Sequence, residues 1–356
     1  MGINVVAESR GIVKAVILAA GKGTRMRGLC DERPKPLLPL ANHPALQLTI
    51  SRLRDAGVTE ILIVVGHRPE QIKLSHGYGS ALGVKLYYVT QHNIDGTGGA
   101  LMLAEDFVEN QPFAMAFGDV IAHSDNYARA VSLFNAGAQA VLSTYDIGEP
   151  VRVGAVFTEG NRLTRIVERP GPRERSPLVS AGLFVFPPTI LQTTRDLPPA
   201  PSGEHELTGG IQRLAESGVA ITTMPITGYW ANLTDPDALL WANKQVQREF
   251  ADRGTQLVEG TVRISPQAKI DPLAAIADYV RIEAGAVIGA NVSIGQESTI
   301  AAGARLQSCI VMEKVTIGAD AVIENAIIDA GASVPPGTVV KSPPGHAGII
   351  WKSMYA

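Results

Sequence analysis

Apolar residues recur at every sixth position without a slip from Ile264, through Ile270, Ile276, Ile282, Ile288, Ile294 and Ile300, to Leu306. A helix would need a period near 3.6 and a half-buried strand a period of 2, so a sustained six excludes both and implies a stacked repeat. The spacing predicts a β-solenoid. Small residues such as Gly285, Gly289, Gly295 and Gly303 fall beside the anchors, where the chain must turn corners. The frame then shortens by one and resumes at Val311, Ile317 and Ile323, and shortens again to give Ile328, Val334 and Val340. Each five-residue step is expected where a corner gives up one residue.

The preceding half follows another rule. Strand-like runs at Val13 to Ala20, Ile61 to Val65, Val84 to Val89, Phe113 to Phe117, Ala140 to Thr144, Val153 to Phe157, Leu178 to Phe186 and Ala220 to Pro225 are interspersed with helical segments. Pro44 to Ala56 carries Leu46, Ile50, Leu53 and Ala56 on one face and is closed by Gly57, and Ala128 to Gly137 is a second helical stretch. The expected fold is α/β: a Rossmann-like, mostly parallel sheet with helices on both faces, which binds ligands beyond its strand C-termini.

A chain of 356 residues that is 46% hydrophobic can bury two cores. The expected division is a flexible leader at 1–11, a catalytic domain at 12–245, a linker at 246–262, the solenoid at 263–345 and a tail at 346–356. A formal net charge of -3 argues against a general nucleic-acid binder, which needs a basic surface. Cys30 and Cys309 are the only cysteines, so no disulfide framework is expected. The N-terminus lacks a signal-peptide pattern, and no apolar run reaches the length of about 18 residues that a membrane span needs. The expectation is a cytoplasmic protein with no membrane partner.

Leu18 to Leu40, LAAGKGTRMRGLCDERPKPLLPL, concentrates the chemistry. A strand runs into Gly21, Gly23 and Thr24, small residues that let backbone amides approach a phosphate. The third glycine of a dinucleotide fingerprint is replaced by Met26, and a P-loop lysine followed by Ser or Thr is absent. Arg25 follows, and Lys35 lies between Pro34 and Pro36, which stiffen the backbone on both sides of its charge. In Gln91 to Leu101, QHNIDGTGGAL, the glycine turn allows a flat ligand to come close, and the Gln91 amide can both donate to and accept from a base edge. Phe113 to Asp119 is an apolar strand ending in a carboxylate suited to a hard cation. Asp235, Pro236 and Asp237 read as a helix start.

The joint string GxGTRM followed by PKPLLP resembles the signature of sugar-1-phosphate nucleotidylyltransferases, and the hexapeptide repeat resembles the left-handed parallel β-helix that follows many of their catalytic domains. The resemblance implies an enzyme of the EC 2.7.7 class that joins a nucleoside triphosphate to a sugar 1-phosphate and releases pyrophosphate. It implies that Arg25 and Lys35 are catalytic and that Leu18, Ala19, Gly21, Gly23, Thr24, Gln91, Gly96 and Thr97 bind the nucleotide. Mg²⁺ is implied as cofactor, on Asp119 with Asn232. Gly154, Glu168, Arg169 and Ser180 are implied on the sugar-phosphate side, with Arg169 standing where the family's Glu-Lys-Pro element has lysine. Glu206-Leu207-Thr208 resembles a further element near the sugar, although the usual following aspartate is Gly209.

The resemblance implies UTP or dTTP, because the family's matching glutamine holds the pyrimidine while guanylyl members commonly carry glutamate there. The sugar stays open between glucose-1-phosphate and N-acetylglucosamine-1-phosphate, because Asn232 matches the amino-sugar enzymes while Ser180 stands where they often carry asparagine. A guanylyltransferase of the GDP-mannose type is the alternative, and a silent sugar-nucleotide-binding regulatory subunit is another. Acetyl transfer in the solenoid is disfavoured because 263–340 contains no histidine to serve as base. The solenoid is expected to hold a homo-oligomer together.

Overall fold

The computed structural model describes residues 11–151 and 153–354, so the leader expected at 1–11 lies outside the described residues except for Gly11. The chain divides into two compact units, one formed by residues up to Lys22 with Leu46–Trp230, the other by Gly23–Ala45 with residues from Ala231 onward. No helix among the described residues is long and apolar enough to cross a membrane.

The first unit is built on a nine-stranded sheet: β1 Lys14–Ala19, β2 Glu60–Val65, β3 Lys85–Thr90, β4 Phe113–Phe117, β5 Ala140–Asp146, β6 Ala155–Glu159, β7 Arg162–Val167, β8 Leu178–Phe186 and β9 Ile221–Pro225. Its spatial order is β3-β2-β1-β4-β8-β5-β9-β7-β6. All six residues of β1, KAVILA, are buried, as a central strand covered on both faces requires. Parallel pairing joins β3, β2, β1 and β4, and joins β5 to β9. The sheet is more mixed than the expected mostly parallel one, because β8 runs antiparallel to both β4 and β5, and β7 antiparallel to β9 and β6. A buried strand carries the same apolar pattern in either direction, so the sequence does not distinguish them. The helix expected at Pro44 to Ala56 runs over Ala45–Asp55 (α1).

The chain moves outward from β1 through β2 to β3 and then returns to the other side of β1 as β4. That reversal opens a crevice beyond the carboxyl ends of β1 and β4, where sheets of this type bind ligands. The register is tight there: Leu18 pairs with Phe117, and the Gly118 amide donates to Leu18 O at 2.8 Å.

The second unit contains the solenoid, whose rungs stack as three ladders of parallel pairs. Ile264, Ile282, Ile300, Ile317 and Val334 form one. Ile270, Ile288, Leu306, Ile323 and Val340 form the second. Ile276, Ile294, Val311, Ile328 and Ile350 form the third. A three-sided coil with two residues of strand per side accounts for the period of six. Three residues before each anchor from Ile282 to Val340 the backbone is left-handed: at Tyr279, Gly285, Asn291, Glu297 and Gly303, then at Ser308, Lys314, Asp320, Asn325, Gly331 and Gly337. The five-residue steps fall at Ser308 and Asn325, inside the continuous strands Arg305–Val311 and Val322–Ile328, so the shortened corners keep the same left-handed turn. Gly289 and Gly295 are small for another reason: a Cβ there would lie 2.0 Å from the Gln307 side chain and 2.7 Å from the Glu313 backbone of the next rung.

Ordered elements run through two of the expected boundaries. The linker expected from 246 begins inside a helix, α2, Pro236–Asp252, whose Gln247 is fully buried and donates to Val292 O of the solenoid at 2.8 Å. The tail expected from 346 supplies a strand, Gly348–Ile350, which extends the third ladder and buries Ile350. Neither shows as a sixfold repeat, because each fits onto the coil instead of forming a turn of it.

Candidate active site

Within the first unit the strand ends fix a row of candidate groups. Beyond β1, the Cβ side of Gly21 is open space, and a Cβ on neighbouring Gly66 would lie 2.6 Å from Ala20 O. Beyond β3, the Gln91 amide is held by Val65 O at 2.8 Å. Beyond β4 comes half-buried Asp119, after a Gly118 whose Cβ would meet that of Ala19 at 2.9 Å. Leu18 and Ala19 are buried.

The Gln91 side chain is 5% exposed, and its Nε2 donates to Asp95 Oδ1 at 2.8 Å and to Gly96 O at 3.1 Å. Both partners are obligate acceptors, so the amide has one sensible orientation: its nitrogen is committed and its oxygen is what it offers a ligand. Gly96 has φ 99°, and a Cβ there would lie 2.6 Å from His205 O. Thr97 begins a short helix, Thr97–Met102, and its hydroxyl accepts from the Leu207 amide at 3.2 Å. The Gly98 amide donates to His205 O at 2.7 Å and the His205 amide to Asp95 O at 2.6 Å. The base-loop candidates and the 204–208 segment are therefore stitched together by backbone hydrogen bonds.

That segment leads to the sugar-side candidates. Burial pushes the Glu168 carboxyl above its ordinary range; the nearby Thr208 hydroxyl opposes the shift, neighbouring Glu206 and Glu204 add to it, and Arg169 opposes it. The Gly154 amide donates to Glu168 O at 2.8 Å and the Ser180 amide to Gly154 O at 3.0 Å. Ser180 sits where the pairing of β8 with β5 shifts register, the kind of irregularity that re-aims side chains beside a site. The Arg169 side chain is 66% exposed, with Nη2 3.7 Å from the Glu204 carboxylate.

The other candidates belong to the second unit. Gly23 has φ 69°, and a Cβ there would lie 2.8 Å from Cys30 Sγ and 3.3 Å from Lys35 Cβ, so its smallness packs the turn on itself. Thr24–Met26 form a 3-10 turn with Arg25 exposed. Lys35 is 8% exposed and begins a second such turn, Lys35–Leu37, entered from an extended Pro34. Asn232 is half-buried, with its backbone oxygen accepting from the Thr234 amide at 2.7 Å. Among the described residues no three of His, Cys, Asp and Glu converge as a metal cage. Asp119 in the first unit and Asn232 in the second each carry an oxygen of the kind a magnesium ion takes, an ion that completes its shell with water and substrate phosphates.

Sequence reasoning missed Asp95. It lies within the glycine-rich string, but only the fold turns its carboxylate onto Gln91, over a Gly99 whose Cβ would meet Asp95 Oδ1 at 2.0 Å.

Residues 14–249 match the nucleotidyl transferase family, and residues 270–344 match the GMPPB C-terminal domain. The low-salt glycan biosynthesis nucleotidyltransferase Agl11 of Haloferax volcanii is 31% identical over 338 residues, covering 90% of this chain and 94% of that protein. A mannose-1-phosphate guanylyltransferase of Mycobacterium tuberculosis is 28% identical over 326 residues, covering 88% and 83%. A structure from Bacillus anthracis, assigned as a glucose-1-phosphate thymidylyltransferase and solved with sucrose, superposes with a TM-score of 0.60 at 26% identity, covering 65% of this chain and 94% of that one.

Proposed function

The chain belongs to the nucleotidyl transferase family, and from that premise we propose that it joins UTP or dTTP to a sugar 1-phosphate, glucose-1-phosphate or N-acetylglucosamine-1-phosphate, and releases pyrophosphate. The observation that carries the base assignment is the orientation of the Gln91 amide. An acceptor held at the base edge pairs with an imino N–H, which uracil and thymine have and which cytosine and adenine lack at the corresponding position.

A phosphate monoester is already an anion, so the sugar phosphate oxygen attacks the α-phosphorus in line without a general base, and catalysis rests on alignment and charge. Arg25 holds the triphosphate and stabilises the departing pyrophosphate; Lys35, stiffened by its flanking prolines, bridges the attacking and α-phosphates. Members of the family generally use a divalent metal, and Asp119 and Asn232 are the residues that would hold Mg²⁺, which neutralises phosphate charge when bound. Glu168 accepts from sugar hydroxyls, with Gly154, Ser180 and Arg169 lining that side. The solenoid holds a homo-oligomer together, which light scattering on the purified protein tests. The enzyme works in the cytoplasm.

A second reading is guanylyl transfer, favoured by the match of 270–344 to the GMPPB C-terminal domain and compatible with the same acceptor, since guanine also has an imino N–H. Pyrophosphate release measured for UTP, dTTP, GTP, ATP and CTP against glucose-1-phosphate, N-acetylglucosamine-1-phosphate and mannose-1-phosphate tests both. Turnover confined to ATP or CTP overturns the base assignment, and no turnover with any pair overturns the enzyme reading.

A further inference from the structure

The segment carrying Arg25 and Lys35 packs with the solenoid, although in sequence it directly follows β1 of the first unit. Three independent contacts fasten it. Arg33 forms an ion pair with Glu313, a residue of the solenoid 280 positions away. Arg27, left-handed at φ 49°, donates from Nη2 to Ala347 O at 2.6 Å, and the Ala347 amide is itself held by the Asp237 carboxylate of α2 at 3.0 Å. Gly28 lies flat against the Trp351 indole, whose Cη2 is 3.1 Å from where a Cβ would stand.

The far end of the segment is anchored as well. The Ala41 amide donates to Asn243 Oδ1 of α2 at 2.8 Å, and the same oxygen accepts from Ser293 Oγ of the solenoid at 2.7 Å. The two 3-10 turns have few backbone hydrogen bonds of their own, so their geometry depends on what they rest against. The contacts are with side chains and backbone that no sixfold repeat requires: Glu313, Ala347 and Trp351 are not rung anchors.

We propose that Glu313 and the C-terminal strand with Trp351 form a brace that positions the Arg25–Lys35 segment, so that the solenoid sets the geometry of that segment and is not only a platform for assembly. This rests on the reading of that segment as the triphosphate-binding element. Arg27, Arg33 and Trp351 are then positioning residues: they act through the placement of Arg25 and Lys35. Misplacement of a phosphate-binding group by about an ångström is enough to cost one to two orders of magnitude in rate.

The test uses the full chain in three forms: Trp351→Ala, Arg33→Glu, and Arg33→Glu combined with Glu313→Arg. Hydrogen exchange, read by mass spectrometry, needs no activity. The brace requires faster exchange over 23–38 in the first two variants, unchanged exchange in the rungs 281–323, and recovery in the charge-swapped double variant. Kinetics then require KM for the nucleoside triphosphate to rise about tenfold, KM for the sugar 1-phosphate to move less than about twofold, and the double variant to recover. Unchanged exchange over 23–38 overturns the brace, and so does faster exchange with wild-type kinetics. A wild-type protein that neither binds triphosphate nor releases pyrophosphate instead overturns the reading of the segment, an outcome separate from the exchange result.

Discussion

The Gln91 side chain donates to Asp95 Oδ1 at 2.8 Å, four residues on in the same loop, and this contact acts with the one to Gly96 O in fixing which half of the amide faces outward. A carboxylate cannot donate, so Asp95 reinforces the orientation that the Gly96 carbonyl favours, whereas an amide at position 95 would leave that carbonyl to hold it alone. Asp95→Asn is therefore expected to weaken discrimination among bases. The ratio of kcat/KM for UTP or dTTP to that for CTP should fall about tenfold, the amount expected when one buried hydrogen-bond preference is lost. Steady-state kinetics with the nucleotide panel checks it, and an unchanged ratio would show that Asp95 has no part in base selection.

Glu168 carries a pH signature. Its carboxyl titrates above the ordinary value because burial opposes its charge. A carboxyl with a raised folded-state value costs nothing below the unfolded-state value; the cost grows as pH rises past that point and is complete above the folded-state value. Glu168→Gln should therefore raise the melting temperature at pH 8 and leave it near wild type at pH 4. The same substitution removes a charged acceptor, so KM for the sugar 1-phosphate should rise about tenfold or more. Melting curves at the two pH values, run alongside substrate kinetics, separate the two effects. A stabilisation that is larger at pH 4 contradicts the assignment.

The sequence makes the solenoid legible because the rungs from Ile276 to Val334 repeat the same physical demand, a buried aliphatic beside a tight corner. Ile282 and Ile300 mark their own partners by spacing alone. The sheet is less legible, since β8 is as apolar as a parallel strand and nothing local states that it runs against β4 and β5. At the candidate site, strings such as QHNIDGTGG are visible, but the stitching of Gly98 and Asp95 to His205 joins positions over a hundred residues apart. The pairing of Arg33 with Glu313 is less visible still, because a lone arginine and a corner glutamate 280 positions apart are ordinary in isolation.

Arg25 and Lys35 should tolerate removal structurally to different degrees, and this separates chemistry from folding. Arg25 is exposed in a short turn, so Arg25→Ala should leave the melting temperature unchanged while lowering turnover by about three orders of magnitude, the scale on which groups aimed at transferring phosphate contribute. Lys35 is 8% exposed, so Lys35→Ala adds a packing loss, and Lys35→Gln is the cleaner probe; both should lower turnover comparably. Pyrophosphate release with circular dichroism as the fold control measures this. Near-wild-type turnover in any of the three removes the residue from the catalytic reading.

The solenoid corners predict a gain in stability. Tyr279 is left-handed at φ 60°, and its side chain is 66% exposed, so the conformation is imposed by the coil and not compensated by burial. An L-residue with a Cβ is disfavoured there by about 1–2 kcal/mol, while glycine adopts the same turn without a steric penalty but has more freedom to lose on folding. The balance favours Tyr279→Gly by about 1 kcal/mol. Asn291→Gly, at the next corner but one and also at φ 60°, should gain less, because asparagine tolerates this region through local hydrogen bonding. Denaturant unfolding of the two variants orders them: the tyrosine replacement should shift the midpoint further than the asparagine replacement, and a loss of stability at Tyr279→Gly would mean that the tyrosine ring contributes more to the corner than its backbone costs.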